Sequence, residues 1–189
     1  MINVSNDIAS PAAKEQWRVV VVCEDEFNHD RAIALSHELV SRFWSEFEFE
    51  FQWWQFNNLF DSARAMEAAE AAAQADMIVV AANAGGDFPD SIKGWCKAWL
   101  KLRNSREGAV VGLIGTPDKP ARPSETKMHY LHDLAHRAEM DFLSELGSVL
   151  SHKVPESFEW FHRRAGQVSS TLDSILHLPQ KPPSFGLDS

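Results

Sequence analysis

Short unbroken apolar runs alternate along this chain with stripes of apolar residues three and four positions apart. The run RVVVVC, residues 18–23, reads as a strand buried on both faces of a parallel sheet, because it reserves neither face for water. In DRAIALSHELVSRFW, residues 30–44, Ala32, Leu35, Leu39 and Phe43 share one side of an amphipathic helix. The next segment, EFEFEFQW at 46–53, alternates Phe47, Phe49, Phe51 and Trp53 with Glu46, Glu48, Glu50 and Gln52. Strict alternation predicts a strand with one wet face, which belongs at a sheet edge where the glutamates discourage unwanted pairing.

The alanine-rich SARAMEAAEAAAQA then predicts a helix, and DMIVVAAN a buried strand. After the loop AGGDFP, the segment DSIKGWCKAWLKLR lines up Ile92, Trp95, Cys96, Trp99 and Leu100, with Lys93, Lys97 and Lys101 on a solvated edge. A strand AVVGLIG ends at Gly115, Thr116 and Pro117, and residues 124–140 return to helical spacing through Met128, Leu131, Ala135 and Ala138. DFLSEL is a weaker last strand, and a closing helix at about 156–177 carries Phe158, Phe161, Val168, Leu172 and Ile175. Such alternation predicts an α/β fold, a three-layer, doubly wound, five-stranded parallel sheet. Placing the wet second strand outermost gives the order 2-1-3-4-5. Residues 1–16 then form a polar leader, 17–178 a single domain and 179–189 a disordered tail.

The chain has 189 residues, 44% of them hydrophobic, enough for one well-packed core. Its formal charge of -9 argues against nucleic acid as a partner, since phosphate neutralisation needs clustered Lys and Arg. No stretch approaches the roughly 20 apolar residues that span a bilayer, and no basic leader precedes an apolar segment. A cytoplasmic protein without membrane contact is expected. Cys23 and Cys96 lack CxxC spacing and fall on apolar segments, so they read as buried free thiols.

In a sheet of this order, ligands bind beyond the carboxyl ends of the strands where the chain direction switches. The candidate pocket there comprises Glu24, Asp25 and Glu26 after the first strand, Asn83, Gly85, Gly86 and Asp87 after the third, and Thr116 after the fourth. Two carboxylates about 4 Å apart repel by roughly 4 kcal/mol at an effective dielectric near 20, so the acidic turn must stay solvated, take up a proton or recruit a cation. Hard oxygen ligands suit Mg²⁺, with Glu24 and Asp25 as the metal-binding pair. Alternatively the acids open a helix, opposing its macrodipole, with Asn28 or Asp30 capping the first turn. Gly85 and Gly86 relieve a tight strand-to-helix loop.

VVVVCEDE resembles the first strand of response-regulator receiver domains, whose acidic pair binds Mg²⁺. By that resemblance Glu24 and Asp25 take the place of the pair, and Thr116 matches the hydroxyl that ends the fourth strand. Ala81 stands where receivers carry the phosphoacceptor aspartate, the nearest acid is Asp87, and Lys153 lies several residues beyond the last strand. The resemblance therefore implies a non-catalytic regulatory or protein-interaction domain. A second stretch, AAQADMIVVAANAGGDFPDSIKGWCKAWL, resembles the third strand, loop and helix of flavodoxin-like NAD(P)H-dependent FMN reductases through Pro89, Ile92, Lys93 and Trp99. It implies FMN as an alternative cofactor and a flavin-dependent NAD(P)H oxidoreductase as the alternative function. Those reductases hold the FMN phosphate with Ser, Thr or Arg in the first βα loop, where this chain has EDEFNHD. Trp95 and Trp99 lie on the buried stripe and read as core.

On the helix at 124–140, Glu125, His129, His132 and His136 form a stripe beside the core face. His132 and His136 have the spacing to share zinc or nickel, but no HExxH motif accompanies them, and a polar surface is the simpler reading. By resemblance to receivers, this His129/His132/His136 face is the candidate protein contact, with Arg163 and Arg164 as an extension. The aromatic second strand is another possible contact surface, and a homodimer is compatible with either.

Overall fold

A computed structural model describes residues 14–115 and 125–144, all within the unit spanning Met1–Lys153. The expected leader, closing helix and tail, together with Thr116, Lys153, Arg163 and Arg164, lie outside the described residues.

Strand β1 spans Glu15–Cys23 and begins before the expected domain boundary at residue 17. Its polar start is explained by its neighbour: Glu15 and Gln16 pair with Phe47 and Glu48 of β2, Phe47–Gln55. Between them runs α1, Glu26–Phe43, which starts one turn earlier than its apolar stripe suggests. A 3₁₀ turn at Phe56–Phe60 leads to α2, Ser62–Gln74. Asp61 caps α2, its Oδ1 accepting from the N–H groups of Ala63 at 3.1 Å and Arg64 at 2.9 Å. The remaining elements are β3, Met77–Asn83; α3, Asp90–Leu102; β4, Ala109–Gly115; α4, Glu125–Arg137; and β5, Asp141–Ser144.

All four strand pairings are parallel and the order is β2-β1-β3-β4-β5, as the wet second strand required. One face of the sheet presents Val20, Val22, Ile78, Val80, Val110 and Ile114 to α2, α3 and α4. Trp95 and Trp99 are 2% and 0% exposed there, with ring centroids 6.3 Å apart, so both are core residues. Each large ring removes much apolar surface from water and contributes accordingly.

On the opposite face α1 packs against β1, β3 and β4. The Arg31 guanidinium fixes it there, donating to the Leu113 carbonyl at 3.2 Å and lying over Gly115, where an added Cβ would stand 3.0 Å from Nη1. The aromatic stripe of β2 lies toward the outer side of the helix, meeting it in the ring pairs Phe43–Phe47, at 6.5 Å, and His29–Trp53, at 5.2 Å.

At the amino ends of the strands, Asp76 is 2% exposed. It accepts from the Arg18 N–H at 2.9 Å and from the Arg106 guanidinium at 2.6 Å. A buried carboxylate is stable only with such partners, so the pair binds the loop before β4 to the sheet.

Candidate functional site at the switch of the sheet

The register brings Cys23 beside Ala81 and Asn83 beside Gly115, so the turns after β1 and β3 meet at the carboxyl edge of the sheet. The Glu24 N–H extends the ladder by donating to the Ala81 carbonyl at 2.9 Å. Beyond it the backbone opens into α1 with Asp25 extended, at φ -148° and ψ -174°. Its Oδ1 accepts from the Asn28 N–H at 3.0 Å and from Asn28 Nδ2 at 2.8 Å. Asp25 is thus the helix cap, in place of the expected Asn28 or Asp30, because the helix begins at Glu26.

Asn28 is fully buried and binds across the switch, Nδ2 donating to Asn83 Oδ1 at 3.1 Å. Asn83 returns the connection by donating from Nδ2 to Asp25 Oδ2 at 2.7 Å, and its backbone N–H donates to Glu24 Oε2 at 2.8 Å. Desolvation pushes the Asp25 pKa up, but the hydrogen bonds from the Asn28 backbone, Asn83 and the Asn28 side chain together outweigh it and hold the carboxyl below its ordinary value.

The cation at this corner is an ammonium of the chain itself. Lys127, in the first turn of α4, is 1% exposed. Its Nζ donates to the Asn83 carbonyl at 2.8 Å, lies 3.4 Å from Glu24 Oε2, and stands 5.3 Å from the centre of the Phe88 ring. Lys127 shares the buried side of α4 with Leu131, Leu134 and Ala135, so its stem is packed as a core side chain while its charge is delivered to Glu24.

Of the other expected site residues, Glu26 is exposed in the first turn of α1. Asp87 accepts from the Phe88 N–H at 2.7 Å and forms an ion pair with Lys93. The hydrogen bond from Lys93 is the main cause of its lowered pKa, with the Phe88 N–H adding to it. Lys93 was expected on a solvated edge; it is instead partly covered and committed to the loop. Gly86 has φ +66°, a conformation in which a side chain would be strained, which supports the turn-forming reading of the glycine pair. Ala81 is fully buried in β3.

This arrangement does not fit a Mg²⁺ site on Glu24 and Asp25. Glu24 Oε2 is engaged by Asn83 and Lys127, both Asp25 oxygens accept hydrogen bonds, and the described residues contain no group of three or more His, Cys, Asp or Glu placed to hold a metal. Nor does the corner fit the FMN phosphate in the manner of the reductases. The Asp25 carboxylate occupies the helix N-terminus that would receive an anion, and Glu24 and Glu26 flank it.

Cys23 and Cys96 are both buried, and burial pushes each thiol up to about 12. The histidine stripe of α4 lies on the surface: His129 Nε2 is 3.4 Å and His132 Nδ1 3.7 Å from the Asp133 carboxylate, and His132 meets the Phe142 ring edge-on at 5.6 Å. Among the described residues, no helix is long and apolar enough to cross a membrane.

Lys127 does not stand out in the sequence, because the buried side of its helix is otherwise marked by apolar residues. The signal was present: a lysine four residues before Leu131 and seven before Leu134 sits on the core stripe, and a lysine there needs an acid.

Five parallel strands in the order 2-1-3-4-5 define a flavodoxin-like α/β domain. No protein-family model matches the sequence, and no curated protein matches it. Similar solved structures include a flavodoxin-like domain of a Synechococcus sp. protein, at 11% identity and a TM-score of 0.42, covering 82% of this chain and 99% of that one. Another is general stress protein 14 of Treponema denticola in complex with FMN, at 13% identity and a TM-score of 0.40, covering 84% of this chain and 99% of that one.

Proposed function

We propose that this chain is a non-catalytic flavodoxin-like domain that acts by protein contact, with the corner at the switch of its sheet closed by internal charge pairing. The observation that carries this reading is the insertion of Lys127 against Glu24 and Asn83 while Asp25 caps α1. A phosphate or a divalent cation would have to displace these partners, and a buried ammonium stripped of its carboxylate is costly. Regulation by phosphorylation has no support at Ala81, and Asp87 is held by Lys93. The polar stripe of His129, His132 and His136 is one proposed contact face, since all three side chains are exposed on α4, two of them beside Asp133.

Titration of the purified chain with FMN, followed by flavin fluorescence, tests the reading together with the flavin absorbance of the protein as isolated. The expected result is no saturable binding and no bound flavin. Stoichiometric FMN, or labelling of Asp87 by acetyl phosphate, would overturn it in favour of the oxidoreductase or the phosphotransfer alternative.

A further inference from the structure

We propose that the outer edge of β2 binds an extended segment of another protein in which apolar residues alternate with lysine or arginine. This names the partner chemistry for the reading of the domain as an interaction module and rests on it, but it uses residues other than those that close the corner around Lys127.

Three features of β2 converge. It is a nine-residue strand at the end of the sheet, and among the described residues β1 is its only strand neighbour. Its outward N–H and C=O groups therefore offer a template for one more strand. On one side, Phe51 and Trp53 face an apolar groove of about 370 Å³, closed by His29, Ile33, His37 and Val40 of α1. Val40 and Trp53 remain 40% and 37% exposed, so the groove is open to a side chain from outside. The groove exists because α1 packs mainly over β1, β3 and β4 and covers the β2 stripe only in part.

On the other side of the strand, Glu48 and Glu50 are exposed. Glu50 is shared with Arg18, at 3.8 Å, and with Gln16, at 3.4 Å. An added strand sends alternate side chains to opposite faces, so apolar residues enter the groove while those between them meet the glutamates. Basic residues in those positions relieve the negative row. A second copy of this chain would instead lay its own Glu48 and Glu50 beside the first pair, and like charges across a strand pair are destabilising. An acidic segment meets the same opposition.

The test uses the full chain and a fluorescein-labelled peptide of roughly eight alternating lysines and valines, a length that β2 can pair at about 3.3 Å per residue. Controls carry glutamate for lysine, or the same composition with the lysines blocked at one end. Saturable binding is expected for the alternating peptide, weaker by about tenfold or more for the blocked one and absent for the acidic one. Val40→Lys and Glu48→Lys, both at exposed positions, are each expected to weaken binding by about tenfold or more with unchanged circular dichroism. Hydrogen exchange on the unsubstituted chain supplies a readout independent of those variants: the peptide should protect amides of β2. No binding, equal binding of the blocked peptide, or protection elsewhere than β2 would overturn the proposal. So would a stable dimer in sedimentation that Val40→Lys dissociates, since a second copy would then occupy the edge. Flavin loading with intact peptide binding would sink only the closed-corner reading, and a flavin-free chain that ignores the peptide only this one.

Discussion

The ammonium of Lys127 rests 2.8 Å from the Asn83 carbonyl and 3.4 Å from Glu24 Oε2, joining the first turn of α4 to the ends of β1 and β3. One buried positive charge thus organises the place where this fold ordinarily receives a ligand. Replacing Lys127 by Met keeps the apolar stem and removes the charge. Loss of a partner from a fully buried pair costs about 3–5 kcal/mol, and the Glu24 side chain is 31% exposed, so a smaller loss of about 1–3 kcal/mol is expected. A double-mutant cycle with Glu24→Gln, read by urea unfolding, should return a coupling of about 1 kcal/mol or more. Additive effects would show that the two groups do not support each other.

Asp25→Ala removes the cap of α1 together with the acceptor for Asn28 and Asn83. A loss of about 1 kcal/mol is expected from the cap alone, with more from the stranded amides. Asp25→Asn retains an oxygen for the cap and should cost less. Denaturant midpoints of the two variants compared with the parent decide the order.

The Asp25 carboxyl titrates lower in the folded chain than its ordinary value of 3.8. The unfolded state therefore binds the proton first, and the stabilisation from Asp25 is complete above pH 3.8 and fades as pH falls through the folded pKa. Stability curves of the parent and of Asp25→Asn should converge below that point. Because Asp25 is exposed, the difference should also shrink with added salt.

Cys23 and Cys96, 1% and 0% exposed and both pushed up to about 12, should resist thiol reagents at mildly alkaline pH. Mass spectrometry after brief alkylation is expected to find neither labelled in the native chain and both labelled in urea. Rapid native labelling of Cys23 would mean that the end of β1 opens.

The layer order was legible because the alternation in β2 has a direct physical meaning: a strand with one wet face belongs at an edge, and the continuous apolar runs of β1, β3 and β4 belong inside. Trp95 and Trp99 were legible as core for the same reason of spacing. The corner was legible in location but not in wiring. Nothing local to EDEFNHD says that its counter-charge comes from a lysine 103 residues later, because that proximity is made by topology. The start of α1 was obscured because its first turn is held by polar bonds, Asp25 to Asn28, and not by an apolar stripe. Glu15 and Gln16 at the start of β1 hid the first two residues of a strand that pair with Phe47 and Glu48 of β2.

Gly115 supplies room at the end of β4, and the room is used by the helix above it. With no side chain there, the Arg31 guanidinium settles above the end of β4 and ties α1 to it. A methyl group in that space would meet the guanidinium at about 3 Å, and Arg31 would have to shift its hold on the Leu113 carbonyl. A missing carbon at the end of β4 thus makes the place where Arg31 of α1 meets the sheet.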